Sequence, residues 1–451
     1  MAMSAQFPER ALRGAILHFI DDPATLGLAA VRFIPDGLLR VAGGRVKAVG
    51  EYADLLGQLP RGLKVEERRS CLLIPGLIDT HTHYPQLSIA ASPAGTLFDW
   101  LEQRAFPAES ALNCPGVDGR LAQRFLAEML RNGTTTAMVF AGVQPDSANA
   151  FFRHAERLGL RLICGKVLQD RLVPEALRES VAQARAATEA LVRRWHGQGR
   201  LAYALTPRFA PACSEPLLEL CGDWLQRYPD LYLQTHLAET RDECERVQQL
   251  FPQRRGYLDV YDHYGFLRPR SLFAHAIHLT PEEQQRLGQS GAAVAHCPSS
   301  NLLLGSGLMP LRQLQQAGVA LTIGTDVGAG PSCSVLKTLA DAVRVQQLLR
   351  EPLSPLQAFY MATLGAARAL QLESCIGNFK VGKEADFLVL DLEATPELAE
   401  RMVQVESLEE LLGLLILLGD DRLVVEVNVQ GRALMRNGAL IVSAGDTKRE
   451  F

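Results

Sequence analysis

The chain has 451 residues, of which 47% are hydrophobic and 21% are charged, and its formal net charge at pH 7 is −4. This length exceeds the ~250–300 residues that one hydrophobic core usually serves, so we expect one large domain and a smaller one. The weak acidic charge favours neither nucleic acid nor a membrane surface as a partner, and no run reaches the ~18 apolar residues of a spanning helix, so we expect a cytoplasmic protein.

The two ends of the chain share a pattern of short strand-like runs separated by turn signals. Near the beginning these runs occupy residues 31–34, 38–41 and 46–49. Similar runs return near the other end, at residues 385–390, 423–429 and 434–442, the last interrupted by the turn signal Asn437-Gly438. We therefore expect residues 1–74 and 374–451 to build one small domain between them.

The middle of the chain, residues 75–373, alternates apolar runs with stretches of helical periodicity. This alternation is typical of βα units around a parallel sheet. The eight candidate strands are 72–83, 134–140, 162–168, 201–207, 231–236, 272–275, 292–296 and 320–326. Eight such repeats predict a (β/α)8 barrel, whose catalytic groups lie at the carboxyl ends of the strands.

Side chains that can bind a metal ion stand at those predicted strand ends. His81 and His83 end the first strand and project from the same face because they are two residues apart. His236, His275 and Asp326 end the fifth, sixth and eighth strands. Any one of them could be an ordinary core residue, but their joint placement favours a metal site. Three of these imidazoles together with the carboxylate suit zinc or iron(II) and leave a position for water, as in catalytic sites.

Five segments in order carry a family resemblance. They are PGLIDTHTH at 75–83, HLAE at 236–239, AH at 274–275, HCPSSN at 296–301 and GTD at 324–326. The chain resembles the aminohydrolase branch of the amidohydrolase superfamily over nearly its whole length. The resemblance implies an α/β fold, a (β/α)8 barrel with a small β-sandwich built from both chain ends, and a homodimer.

Narrower segments are similar to one family within that branch, the guanine deaminases. These segments are YPQ at 84–86, LFDWL at 97–101, FPAE at 106–109, GKV at 165–167 and TPRF at 206–209. The resemblance implies hydrolytic deamination of guanine to xanthine and ammonia, in purine catabolism. The chain departs from the family pattern at Ala329, where a glycine is expected, and at His278, where a tyrosine is expected.

Residue roles follow from the same resemblance. The implied metal ligands are His81, His83, His236 and Asp326, and the implied substrate contacts are Gln86, Arg208, Phe209, His236, Glu239 and Asp326. We expect one zinc ion per chain, with iron(II) as the alternative. Lys166 stands on the third predicted strand, and no lysine stands at the end of the fourth, where binuclear relatives carry a carboxylated one.

The expected chemistry assigns three catalytic residues. Asp326 and His275 accept the proton of the attacking water, and Glu239 protonates N3 of guanine so that C2 becomes electrophilic. Arg208 donates to O6, Gln86 contacts the purine edge, and Phe209 supplies an apolar wall.

Two alternatives stay open at this point. The same scaffold can deaminate another amino-substituted ring, such as 8-oxoguanine, a pterin or a triazine. A non-catalytic scaffold is disfavoured because such relatives lose metal ligands, whereas this chain keeps the whole set.

Overall fold

The computed structural model describes residues 7–92, 95–114 and 116–441, and within them the chain forms a barrel and a second sheet. The four strands before the barrel are β1 Arg10–Phe19, β2 Val31–Ala42, β3 Arg45–Glu51 and β4 Val65–Pro75. The barrel region contains β5 Leu77–His83, β6 Thr134–Phe140, β7 Arg161–Gly165, β8 Val167–Leu168, β9 Leu201–Pro207, β10 Tyr232–Leu237, β11 Ser271–His275, β12 Ala293–His296 and β13 Ala320–Ile323. The strands after it are β14 Phe387–Asp391, β15 Val424–Val429, β16 Arg432–Arg436 and β17 Ala439–Leu440.

The barrel is a parallel sheet in the order β5-β6-β7-β9-β10-β11-β12-β13, and the short β8 pairs only with β9. Hydrogen bonds join the first and last strands of this sheet, β5 and β13. Thr80 Oγ1 on β5 donates to the carbonyl of Ile323 on β13 at 2.8 Å. The backbone N–H of Asp326 donates to the carbonyl of His81 at 2.8 Å. The predicted α/β fold with a (β/α)8 barrel is confirmed.

The second sheet combines both chain ends in the order β17-β16-β15-β14-β4-β1-β2-β3. All its neighbouring strands are antiparallel except the parallel pair β1 and β4. Arg10 on β1 ties the two ends together, since its guanidinium contacts Glu66 Oε1 at 2.6 Å and Glu426 Oε1 at 2.7 Å. The expected pairing of the two chain ends is therefore confirmed.

Eighteen α-helices lie among the described residues, most of them around the barrel. They are α1 Pro23–Leu26, α2 Tyr52–Leu55, α3 Leu97–Trp100, α4 Phe106–Ser110, α5 Val117–Arg131, α6 Pro145–Leu158, α7 Val181–Trp195, α8 Glu215–Arg227, α9 Arg241–Leu250, α10 Tyr257–His263, α11 Pro281–Gly288, α12 Pro298–Leu303, α13 Leu311–Gln316, α14 Val335–Leu348, α15 Pro355–Met361, α16 Leu364–Ala369, α17 Pro396–Met402 and α18 Leu408–Leu418. A π-helical turn, Leu101–Ala105, joins α3 to α4. Where it faces the barrel, each longer helix buries an apolar stripe, as α5 does with Phe125 and Met129.

The prediction of one strand over residues 72–83 is wrong. β4 ends at Pro75 in the second sheet, and β5 begins at Leu77 in the barrel. Gly76 lies between them against Thr135, whose Oγ1 would be 2.0 Å from a Cβ at this position. Both strands are apolar because both are buried, so the hydrophobic run conceals the change of sheet.

Two further strand predictions need correction. The predicted strand 320–326 stops at Ile323, and Asp326 follows it in a turn with φ 49°. The predicted strand 162–168 is divided at Lys166 into β7 and β8. The predicted run 434–442, with its interruption at Asn437 and Gly438, is the hairpin of β16 and β17, and Val442 lies outside the described residues. The division of the chain at residues 74/75 and 373/374 stays a prediction, to which the passage between the sheets at Gly76 lends support.

No helix among the described residues is long and apolar enough to cross a bilayer. The most apolar one, α18, packs against α14 and α15. Its residues Leu412, Leu415 and Ile416 are buried there, which accounts for the apolar run as an internal contact.

Candidate active site

The four predicted metal ligands converge at the carboxyl end of the barrel. His83 Nε2 lies 3.3 Å from His81 Nε2 and 3.2 Å from His236 Nε2. Asp326 Oδ1 lies 3.3 Å from the Nε2 atoms of both His81 and His83. One ligand atom from each residue falls within 4.8 Å of all the others. Four donor atoms so close together surround a space that suits one ion.

Strand geometry explains this convergence. His81 and His83 project from the same face at the end of β5, and His236 is the penultimate residue of β10. Asp326 is brought in by the turn after β13, where Asp79 accepts the backbone N–H groups of Thr325 at 3.0 Å and of His81 at 3.3 Å. Asp79 therefore fixes two of the ligand-bearing segments relative to each other.

The protonation states of the cluster suit a divalent cation. Burial lowers the pKa of His81 to about 4 and that of His236 well below its usual value, so these imidazoles are neutral. The Nδ1 of His236 donates to the carbonyl of Arg208 at 2.6 Å, which leaves the Nε2 lone pair directed into the cluster. Burial would raise the pKa of Asp326, but hydrogen bonds from His81 and His83 outweigh it and lower the pKa, so Asp326 is a carboxylate.

His275, at the end of β11, lies beside two carboxylates. Its Nε2 is 3.6 Å from Glu239 Oε2 and 3.9 Å from Asp326 Oδ2, while its Nδ1 donates to Asn301 Oδ1 at 2.8 Å. Burial alone would lower the pKa of His275, but the charges of Glu239 and Asp326 outweigh burial and raise it. His275 can therefore hold a proton next to Asp326.

Glu239 occupies the short turn between β10 and α9, and its carboxyl group is buried. Ser306 Oγ donates to Glu239 Oε1 at 3.1 Å, and the backbone N–H of Glu239 donates to Glu243 Oε2 at 2.8 Å. The preceding residue, Ala238, has φ 47°, so the chain turns sharply to aim this side chain at the cavity. Burial raises the pKa of Glu239, which suits a carboxyl group that must carry a proton near neutrality.

The predicted recognition residues line the same cavity. Arg208 follows β9, and Gln86 lies in the 3-10 turn Tyr84–Ile89 after β5. Both contact Glu109 on α4. Arg208 donates to it through Nη1 at 2.6 Å and Nη2 at 2.9 Å, and Gln86 Nε2 donates at 2.8 Å. Burial would raise the pKa of Glu109, but Arg208 outweighs it and lowers the pKa, so the pair is ionised.

A cavity is shared by the metal cluster and the predicted recognition residues. Its lining residues are His83, Gln86, Leu97, Trp100, Leu101, Arg208, Phe209, His236, Glu239, His275, Leu304, Asp326 and Ala329. The apolar members could enclose a flat ring, and the polar members could hydrogen-bond its edges. Nearly all the predicted site residues therefore line one cavity, and His81 completes the cluster behind it.

Four residues with evident supporting roles were not predicted as site residues. Glu109 and Asp79 fall inside the quoted motifs FPAE and PGLIDTHTH, and Asn301 ends the motif HCPSSN, so a signal for these three was present. Ser306 had none. His278, one of the two departures from the family pattern, holds Ser306 in place, because His278 Nε2 hydrogen-bonds the Ser306 carbonyl at 2.8 Å.

Comparison with known proteins agrees with this geometry. Residues 72–434 match the Amidohydrolase family. The chain is 40% identical to guanine deaminase of Escherichia coli K12 over 95% of this chain and 98% of that one, and the E. coli enzyme's structure superposes with a TM-score of 0.92. Guanine deaminase from C. acetobutylicum with bound guanine is 28% identical, with a TM-score of 0.84 over 94% of this chain and all of that one. A zinc-bound adenosine deaminase from Xanthomonas campestris is 25% identical, with a TM-score of 0.85 over 97% and 95% of the two chains.

Proposed function

The chain belongs to the amidohydrolase family, and we propose that it is a guanine deaminase, which converts guanine and water to xanthine and ammonia. One observation carries this function most directly. A single cavity is lined by members of a metal-binding cluster and by an arginine and a glutamine that match a 6-oxopurine edge. The substrate is therefore a small purine, and the reaction is hydrolysis of its exocyclic C–N bond.

His81, His83, His236 and Asp326 would hold one zinc ion per chain, with iron(II) as the alternative. Such a cation would lower the pKa of a water molecule towards about 7 and so supply a nucleophile at neutral pH. A single ion is supported by Lys166, which is buried against Glu179 rather than facing the cluster. Among the described residues, one cluster of four close donor groups was found.

Asp326 and His275 manage the proton of the attacking water. Asp326 Oδ2 faces His275 Nε2 at 3.9 Å, so a proton accepted by the carboxylate can pass to the imidazole. Asn301 accepts from Nδ1 and thereby fixes the ring with Nε2 towards the reaction. The water is thus deprotonated and directed at C2 of guanine.

Glu239 supplies the complementary proton. A protonated Glu239 can donate to N3 of guanine, which makes C2 electrophilic and keeps the tetrahedral adduct from becoming anionic. Its 3.6 Å approach to His275 allows the same pair to protonate the departing amine. The proton removed from water therefore leaves with ammonia.

A second set of residues that line the cavity recognises the base. The Arg208 guanidinium donates to O6, and Gln86 contacts the adjacent ring nitrogen. Phe209 and Trp100 form apolar walls for the ring. Adenine has no oxygen for Arg208 and offers it an amino group instead, so Arg208 selects against adenine.

The direct test is a substrate screen. We expect the purified protein to release one ammonia per guanine consumed, and to use adenine at least about 1000-fold less efficiently, because a buried donor without its acceptor costs several kcal/mol. Coupled ammonia detection together with the ultraviolet change of guanine to xanthine measures both. Pterin, cytosine and 8-oxoguanine serve as comparison rings. Turnover of one of these without turnover of guanine would refute the function.

Replacing Arg208 by methionine should lower kcat/KM for guanine about 100-fold, mainly by raising KM, because a charge-assisted hydrogen bond to O6 is lost. Stability should also fall by about 3 kcal/mol, since Glu109 stays buried without its partner. The loss of kcat/KM should largely disappear with 2-aminopurine as the substrate, because 2-aminopurine lacks O6. Arg161→Met removes a half-buried guanidinium paired with Glu384, so it controls for loss of stability alone. Equal losses with both substrates would contradict a contact to O6.

The cellular setting and assembly are also proposals. Cytoplasmic location and a role in purine catabolism are supported by the guanine deaminases that the chain resembles, and a homodimer by the family resemblance. Within α18, Leu417 is 49% exposed, whereas Leu411, Leu412 and Leu415 are buried. Light scattering of the purified protein determines the assembly.

A further inference from the structure

Two buried tyrosines on helix α10 contact the segments from which the functional side chains project. We propose that both are positioning residues, one for base binding and the other for proton transfer. Tyr261 holds the segment that carries Arg208, which binds the base. Tyr257 holds Glu243 and, through it, the proposed acid Glu239. Neither tyrosine is among the residues that line the cavity. This inference rests on the proposed deamination of guanine.

The hydroxyl group of Tyr261 joins two barrel segments that carry site residues. It accepts from the backbone N–H of Ala210 at 2.9 Å, two residues after Arg208. It donates to the carbonyl of His236 at 2.9 Å, near the end of β10, and lies 3.1 Å from Thr235 Oγ1. One buried hydroxyl group therefore fixes the segment after β9 against the strand that carries a metal ligand.

The ring of Tyr261 is held independently of its hydroxyl group. The side chain is fully buried, and its ring stacks on Phe266 with the centroids 5.5 Å apart. The ring of Phe273 lies at 5.6 Å. Phenylalanine in place of Tyr261 would keep these contacts and leave the N–H of Ala210 without its acceptor. The substitution therefore loosens the segment after β9 while α10 stays packed.

Tyr257 supports the turn that carries the proposed acid. It lies one helical turn before Tyr261, so both side chains project from the same face of α10, and their ring centroids are 5.5 Å apart. Its hydroxyl group donates to Glu243 Oε1 at 2.6 Å, and Glu243 Oε2 accepts from the backbone N–H of Glu239 at 2.8 Å. Because Ala238 has φ 47°, this turn needs such contacts to keep its shape. Tyr257 therefore orients the carboxyl group that holds the turn.

The two tyrosines should affect different kinetic constants. Arg208 contacts the base in the ground state and in the transition state alike, so its displacement raises KM. Glu239 acts on the way to the tetrahedral adduct, so its displacement lowers kcat. A merely structural role of α10 would reduce the amount of folded enzyme in both variants, which lowers the apparent kcat and leaves KM unchanged.

Tyr261→Phe should raise KM for guanine about tenfold and change kcat less than about twofold, because one buried hydrogen bond is lost. With 2-aminopurine, which has no O6, KM should not rise. Added to Arg208→Met, the same substitution should change KM for guanine little further, since the contact to O6 is already lost. A full tenfold rise in that background, or an unchanged KM in the single variant, would overturn the role of Tyr261.

Tyr257→Phe should lower kcat for guanine about tenfold and leave KM nearly unchanged, because the turn that aims the acid is loosened. In the Glu239→Gln background it should add little, since no acid remains to be positioned. An equal loss of kcat in both backgrounds would mean that Tyr257 does not act through Glu239, and would overturn its role.

Tyr232→Phe is the matched control. Tyr232 is a buried tyrosine at the other end of β10, and its hydroxyl group donates to the carbonyl of Leu370 at 2.7 Å. This variant should lose thermal stability as the other two do, while both kinetic constants stay within about twofold of wild type. Steady-state kinetics and thermal unfolding on the same preparations measure these effects.

Two further variants cover a failure to fold. Thr235→Val removes the other hydroxyl group at the junction and should reproduce the rise in KM expected of Tyr261→Phe. Glu243→Met removes the acceptor of Tyr257 and should reproduce the loss of kcat. Wild-type kinetic constants in these variants would overturn the inference. Absence of guanine turnover in the wild type would instead refute the proposed function, so the two failures are distinguishable.

Discussion

Replacing Glu239 by glutamine is expected to lower kcat for guanine by about 1000-fold or more while leaving the protein folded and able to bind metal. Glutamine keeps the size of the side chain and the hydrogen bond from Ser306. It has no proton to transfer to N3, and a positioned acid contributes about 10²–10⁴-fold to the rate. Because the ground-state contacts survive, the loss should appear in kcat with little change in KM.

Steady-state kinetics and metal content measured on the same preparations check this result. Glu245→Gln, an exposed position on α9 close in sequence, controls for loss of charge near the site. Thermal unfolding excludes a folding defect as the cause. Retention of activity within about tenfold of wild type would remove Glu239 from the proton-transfer step and assign that step to Asp326 and His275 alone.

The barrel was predictable because its strands are short apolar runs bounded by turns and helices. The predicted bounds 134–140 and 201–207 match β6 and β9 residue for residue. The run 72–83 was misread because burial in two different sheets produces the same composition as burial in one. The long β1, Arg10–Phe19, was not predicted, since buried and half-buried positions follow each other there without strict alternation.

The metal cluster was predictable for a geometric reason: the carboxyl ends of parallel strands meet at one rim, so strand-end histidines come together. The residues that hold the other active-site side chains in place, in contrast, were not predictable, because they depend on contacts between distant parts of the chain. Glu109 meets Arg208 across 99 positions, and Ser306 meets Glu239 across 67. No local pattern encodes such contacts, because they arise only when loops from different barrel units fold over the same cavity.

Removal of the metal should abolish guanine turnover, to below about one thousandth of the holoenzyme rate, and addition of one equivalent of zinc should restore it. The histidine nitrogens of the cluster lie 3.2–3.3 Å apart and beside the Asp326 carboxylate, so a cation placed among them would contact all four groups. Binding should therefore also raise the unfolding temperature, as a ligand specific for the folded state does. Chelation, dialysis and titration with zinc or iron(II) measure all three effects.

Ligand variants separate the metal from unspecific effects of chelation. His236→Asn should lose metal and activity together, because Nε2 of His236 is one of the four donors. His263→Asn, an exposed position on α10, should change neither. Two tightly bound ions per chain would contradict a mononuclear site, and full activity of the metal-free protein would contradict the hydrolytic mechanism itself. A single ion is the result that fits a cluster in which, within the part of the chain that the structure describes, the close protein donors are three imidazoles and one carboxylate, and Lys166 is buried against Glu179.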